Sequence, residues 1–91
     1  MIIKTKGKFY EELGNNILKL RTTAGISQHE LSRHIGLSRT SVLGIEKGRQ
    51  AIDILPLVKI AEYLMVPITD LLPLSEYSLQ QVLIKKDIND E

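Results

Sequence analysis

The sequence predicts an all-α domain, and three observations carry that reading. Apolar residues recur at three- and four-residue spacing in separate segments, helix-starting residues precede those segments, and glycine or proline closes them. At 91 residues, 43% hydrophobic and 25% charged, the chain has material for one small core and not two. Residues 10–73 are the expected domain, with a basic stretch before it (1–9) and an extension after it (74–91).

Taken in order, residues 1–8 begin with Met1, Ile2 and Ile3 and carry Lys4, Lys6 and Lys8 at alternate positions. A frayed terminus, a basic arm and an edge strand are all compatible with this pattern. From about Tyr10 to Ala24, Tyr10, Leu13, Ile17 and Leu20 share a helical face that Gly25 ends, with Gly14 weakening the helix slightly. Ser27 and Glu30 form a capping box, so a second helix should start at Gln28. Leu31 and Ile35 turn inward on it, Ser32 lets a crossing helix approach, and Gly36 stops it. Ser38 caps a third helix with Val42 and Ile45 inward, and Gly48 ends that one.

Asp53 caps a fourth helix running to about Met65, with Pro56 tolerated in its first turn and Leu57, Ile60, Ala61 and Leu64 forming its apolar face. Pro67 breaks the chain. A short fifth helix should start at Thr69 or Asp70 and end before Pro73, with Leu71 and Leu72 closing the core. Beyond it, residues 75–86 fit a helix with Leu79, Val82 and Leu83 on one side. Alternatively, residues 81–85 form a strand pairing with Ile2 and Ile3. Residues 87–91 are polar.

The third helix leaves an outward stripe. Arg39, Thr40, Leu43, Gly44 and Lys47 fall at i, i+1, i+4, i+5 and i+8, along one side of a 3.6-residue period. The stripe opens at the helix N-terminus, where anions are favoured. A guanidinium there can offer a two-donor fork to guanine O6 and N7, and Gly44 would let the helix backbone approach a base edge.

Other chemistries lack their residues. The sequence contains no cysteine, which removes disulfides and thiolate zinc sites. His29 and His34 are five apart and do not share a helix face as a metal pair would. There are no evident paired carboxylates and no glycine-rich phosphate loop, so the expectation is a non-enzyme without metal or cofactor. No secretory apolar region and no membrane-length run is present, which suggests a cytoplasmic protein away from membranes. Net charge is only +1. Its distribution says more: up to Ile52 there are nine basic residues against four acidic, and from Asp53 onward three against seven.

The segment I-S-Q-H-E-L-S-R-H-I-G-L-S-R-T-S-V-L-G-I-E-K-G, residues 26–48, resembles the helix-turn-helix of the phage repressor and Cro group, the XRE-type family. The likeness extends from Tyr10 to Leu72. It implies a lambda-repressor-like five-helix DNA-binding domain with a C-terminal extension, helix or short strand. Its function would be that of a sequence-specific transcriptional regulator, binding an operator in double-stranded DNA as a homodimer with the recognition helix, residues 38–47, in the major groove. By the same resemblance Arg21 and Glu46 form a partly buried ion pair, Gln28 bonds a phosphate, and Arg39, Thr40 and Gly44 stand at base-reading positions. Leu43 departs from the polar residue usual there; contact with a thymine methyl and packing against the protein are both open. Ser41 is a phosphate donor, while Lys47, Arg49 and Gln50 grip the sugar-phosphate chain. The basic stretch and His29 would lie near phosphate.

Past Leu74 the resemblance ends. Leu74, Tyr77, Leu79, Val82, Leu83 and Ile84 are candidates for a subunit contact. An alternative function is an antitoxin-like or controller protein that binds DNA and holds a protein partner through this segment.

Overall fold

The computed structural model describes residues 6–74. Four α-helices follow one another, α1 Lys6–Thr23, α2 Gln28–Ile35, α3 Arg39–Glu46 and α4 Ile54–Leu64, and a single 3₁₀ turn covers Ile68–Asp70. No strand occurs among the described residues. The candidate subunit-contact residues Tyr77, Leu79, Val82, Leu83 and Ile84 lie outside the described residues, as do both readings of residues 75–86. Leu74 is described and exposed.

Two boundaries differ from those the sequence suggested. α1 begins at Lys6, so residues 6–9 of the expected basic stretch are helical. Phe9 meets Tyr10 edge-on, ring centroids 5.5 Å apart, and both pack half-buried on the core, which rewards continuing the helix past its lysines. The fifth helix is reduced to the 3₁₀ turn and starts earlier, at Ile68. Pro67 and the buried Pro73 bracket that stretch, Leu71 is drawn fully into the core, and the Asn16 side-chain amide donates to the Leu71 carbonyl at 2.9 Å.

The buried apolar core is made of the inward-facing residues of the four helices together with Leu71. Leu13 and Ile17 of α1, Leu31 and Ile35 of α2, Val42 and Ile45 of α3, Leu57, Ile60, Ala61 and Leu64 of α4, and Leu71 form one cluster. The caps that set its register are in place. Ser27 Oγ accepts the Glu30 N–H, Ser38 Oγ accepts the Ser41 N–H, each at 3.0 Å, and Gly36 closes α2 with φ 75°. Asp53 stands at the start of α4 in extended conformation, but its side chain makes no capping bond. α4 ends at Leu64, and the following Met65 takes the left-handed conformation (φ 59°) two residues before Pro67.

Gly14 has a packing role that its helix propensity conceals. A Cβ on it would lie 2.2 Å from the Ile45 carbonyl oxygen and 2.6 Å from that of Glu46. α1 therefore touches the C-terminal turn of α3 backbone to backbone, which only glycine permits. Outside the core, α2 and α4 also meet through polar groups. The His34 and Tyr63 rings stack at 3.8 Å, and the Tyr63 hydroxyl donates to the Glu30 carboxylate. That hydrogen bond, then desolvation, then the charge of Glu30 raise the Tyr63 hydroxyl above the ordinary tyrosine value.

Two outcomes follow for stability. In denaturant melts, Gly14→Ala should lose on the order of 1–3 kcal/mol by overpacking, while Gly7→Ala, also in α1 but with open space around it, should lose nothing. The raised Tyr63 value means its contribution is fully present below the unfolded value of about 10 and is lost as pH rises through the folded one. Tyr63→Phe should therefore flatten the alkaline decline of stability, read from melts across that pH range.

Candidate nucleic-acid interface

The interface is built around a buried charge. Glu46, the last residue of α3, is 6% exposed, and Arg21, near the end of α1, is 7% exposed. Neither could be left unpaired there without a large penalty. The Arg21 guanidinium donates from Nε to Glu46 Oε2 at 2.6 Å and from Nη2 to Oε1 at 3.0 Å, a two-bond fork. Its Nη1 donates to the Ile26 carbonyl in the loop before α2 at 2.7 Å. Gln28, the first residue of α2, donates from Nε2 to the same Glu46 Oε1 at 3.0 Å. The carboxylate thus joins α1 and the start of α2 to the end of α3, and the guanidinium adds the α1–α2 loop.

The Gln28 bond qualifies the sequence expectation. Its amide is not directed wholly outward: one N–H is spent on Glu46, and the second is left over. Ser41 is half-buried, and its oxygen accepts from Ser38 Oγ at 3.1 Å.

With Val42 and Ile45 in the core and Glu46 on Arg21, the opposite face of α3 is turned to solvent. Arg39, Thr40 and Lys47 are exposed, and Leu43, 39% exposed, keeps part of its side chain on the solvent side. α3 presents an uncovered ridge that starts at a capped N-terminus.

The loop after α3 is fixed rather than loose. The Lys47, Gly48 and Arg49 N–H groups donate to the Leu43, Ile45 and Gly44 carbonyls at 3.1, 3.0 and 2.9 Å. Gly48 has φ 74°, and a Cβ on it would lie 2.6 Å from Glu11 Cα, so both conformation and contact demand glycine. Arg49 and Gln50 are exposed on this loop. Gln50 corrects the reading of Gly44 as a bare approach point, because its side chain lies across that glycine. A Cβ on Gly44 would be 3.1 Å from Gln50 Oε1 and 3.5 Å from Gln50 Cβ. No spacing rule placed Gln50 on the α3 ridge, since it reaches there from outside the helix.

The two histidines are both exposed, and among the described residues no group of three or more His, Cys, Asp or Glu is placed to hold a metal ion. No described helix is long and apolar enough to cross a membrane.

A helix-turn-helix family model matches residues 17–71, the span that contains the buried pair, both caps and the exposed ridge. The chain belongs to the XRE-type helix-turn-helix family. Solved structures of that fold agree. The restriction-modification controller protein C.AhdI from Aeromonas hydrophila is 31% identical, with 68% of this chain and 94% of that one covered and a TM-score of 0.65. A hypothetical transcription factor, NHTF, from Neisseria is 30% identical over 89% of this chain and 93% of that one, TM-score 0.69. The DNA-binding domain of BldD from S. venezulae is 26% identical over 72% and 99%, TM-score 0.64. No curated protein sequence matches the chain. In this helix-turn-helix chain, α2 and α3 are the paired helices, and the Arg21–Glu46 pair holds them against α1.

Because the pair is buried, breaking one side should cost far more than removing both. Arg21→Met is expected to lose about 3–5 kcal/mol in denaturant melts, and adding Glu46→Leu should recover most of that loss. A double variant no more stable than the single one would contradict this.

Proposed function

We propose that the protein is a sequence-specific transcriptional regulator that binds an operator as a homodimer, with α3 in the major groove. The observation that carries this reading is the two-sided character of α3: Val42, Ile45 and Glu46 are anchored inside, while Arg39, Thr40, Leu43 and Lys47 are exposed on the other side. Such a ridge matches what a major groove admits, and its residue types match what base edges offer. Membership of the family and the likeness to a transcription factor and a DNA-binding domain support it.

The division of labour follows from position. Arg39, at the first turn of α3, reads a base edge by its fork of donors, Thr40 reads beside it, and Leu43 touches a thymine methyl. Lys47 and Arg49 grip phosphate from the end of the helix and the loop. Gln28 adds its second N–H from α2, and Ser41 adds its hydroxyl. Those contacts set register and affinity but carry no sequence information. In a twofold dimer the two ridges meet half-sites one helical turn apart, about 34–36 Å. Leu74, exposed at the end of the described chain, is a candidate for the subunit contact together with the extension that follows it.

A second reading draws on the restriction-modification controller among the relatives. In it, the protein binds DNA and residues 74–91 hold a protein partner. Light scattering with and without residues 75–91 separates the two: loss of the dimer on truncation supports the first, and a truncated dimer with full DNA affinity assigns the segment elsewhere.

The reading roles predict different losses for two arginines. Arg39→Ala should cost on the order of 1–3 kcal/mol on the preferred duplex and relax preference at one base position. Arg49→Ala should weaken all duplexes alike and flatten the dependence of affinity on salt. Binding titrations over a salt series check both, and identical behaviour of the two variants would contradict the assignment.

A further inference from the structure

We infer that Gln50 is a specificity-determining residue, a base reader for adenine that supplies from the loop the side chain α3 lacks at Gly44. This rests on the groove reading proposed above and deepens it. Gly44 lies one helical turn along from Thr40 on the exposed ridge, at a position from which an ordinary side chain would project toward a base edge. The helix has only hydrogen there, and the space is taken by the Gln50 carboxamide: Oε1 would be 3.1 Å, and Cδ 4.0 Å, from a Cβ built on Gly44. The carboxamide therefore stands on the same ridge as Arg39, Thr40 and Leu43, although its backbone belongs to the following loop.

The loop delivers it firmly. The Arg49 N–H donates to the Gly44 carbonyl at 2.9 Å, directly before Gln50, and Gly48 is packed against the Glu11 backbone of α1. With the two residues before it held in place, Gln50 gives up less conformational entropy on meeting DNA than a residue on a free loop would. A carboxamide carries a donor and an acceptor side by side, which is the pattern that matches adenine N7 and N6–H₂ in the major groove. A phosphate contact would use the donor alone and leave the acceptor facing an anion. Gly44 and Gln50 thus form one unit: the glycine makes room, and the glutamine uses it.

The test uses the full chain, a duplex selected from a random pool, and a panel carrying each single base-pair replacement. Gln50→Ala should reduce discrimination at one A·T pair by on the order of ten-fold or more, leaving the salt dependence unchanged. Gly44→Ala, whose Cβ would push the carboxamide aside, should reduce discrimination at the same pair. Replacing that adenine with 7-deazaadenine should weaken the wild type and leave Gln50→Ala indifferent. Gln50 is exposed, so its variant is expected to fold, and thermal melts verify this; if Gly44→Ala fails to fold, Gln50→Ala and the 7-deazaadenine duplex decide. Uniform weakening on every duplex with a flatter salt dependence overturns the inference, and so does unchanged preference at every position. Arg39→Ala is run alongside: if it relaxes preference while Gln50→Ala does not, this inference alone falls. If neither does, the groove reading falls with it.

Discussion

Glu46 places a negative charge where water scarcely reaches, and the arrangement of the helix pair depends on how that charge is satisfied. Arg21 answers it with two parallel bonds and Gln28 with a third, while the remaining Arg21 donor holds the Ile26 carbonyl. A buried pair of this kind adds little net stability compared with apolar packing, but any displacement of one member exposes the other to a steep penalty. The consequence is positional. The end of α1, the start of α2 and the end of α3 cannot shift independently, so the outward ridge of α3 is held at a fixed angle to the start of α2.

The same junction explains why two glycines sit where they do. Gly14 brings the α1 backbone against the last carbonyls of α3, and Gly48 turns the chain beside Glu11. The Gly14 approach lies against Glu46 itself, the residue whose carboxylate takes the guanidinium fork. The ion pair and the close crossing are therefore one device: short helices of eight residues, which would be marginal alone, gain their stability from packing and from this clamp. Function follows from what the clamp leaves uncovered.

Much of this was legible in the sequence, and the exceptions share a cause. Ser27, Gly36 and Ser38 announce the helix pair because capping is local chemistry, decided within three or four residues, whereas the Glu30 carboxylate, expected to reach back to Ser27, is taken by the Tyr63 hydroxyl from α4. The core face of each helix was legible because periodicity projects directly onto burial. Gly14 was not, since its value lies in a contact with Ile45 and Glu46, far along the chain, and local propensity shows only the cost. The α1 start was missed because Phe9 and Tyr10 extend the helix through tertiary packing past residues that look like a basic arm. The fifth helix was overestimated because the core contact of Leu71 overrides local pattern between two prolines. At the candidate site, the stripe from Arg39 to Lys47 followed from helix geometry, whereas Gln50 beside Gly44 and Gln28 on Glu46 are loop-to-helix and helix-to-helix contacts that no spacing encodes.

The central claim is that the exposed face of α3, held by the buried pair, is the surface that meets DNA. Amide chemical-shift mapping on addition of a duplex selected from a random pool tests it most directly. The account predicts that the largest changes fall on residues 38–40, 43 and 47–50 with a second group at the start of α2, and that the core of α4 stays still. Changes centred instead on the His34–Tyr63 face between α2 and α4, with the α3 ridge unmoved, would contradict it.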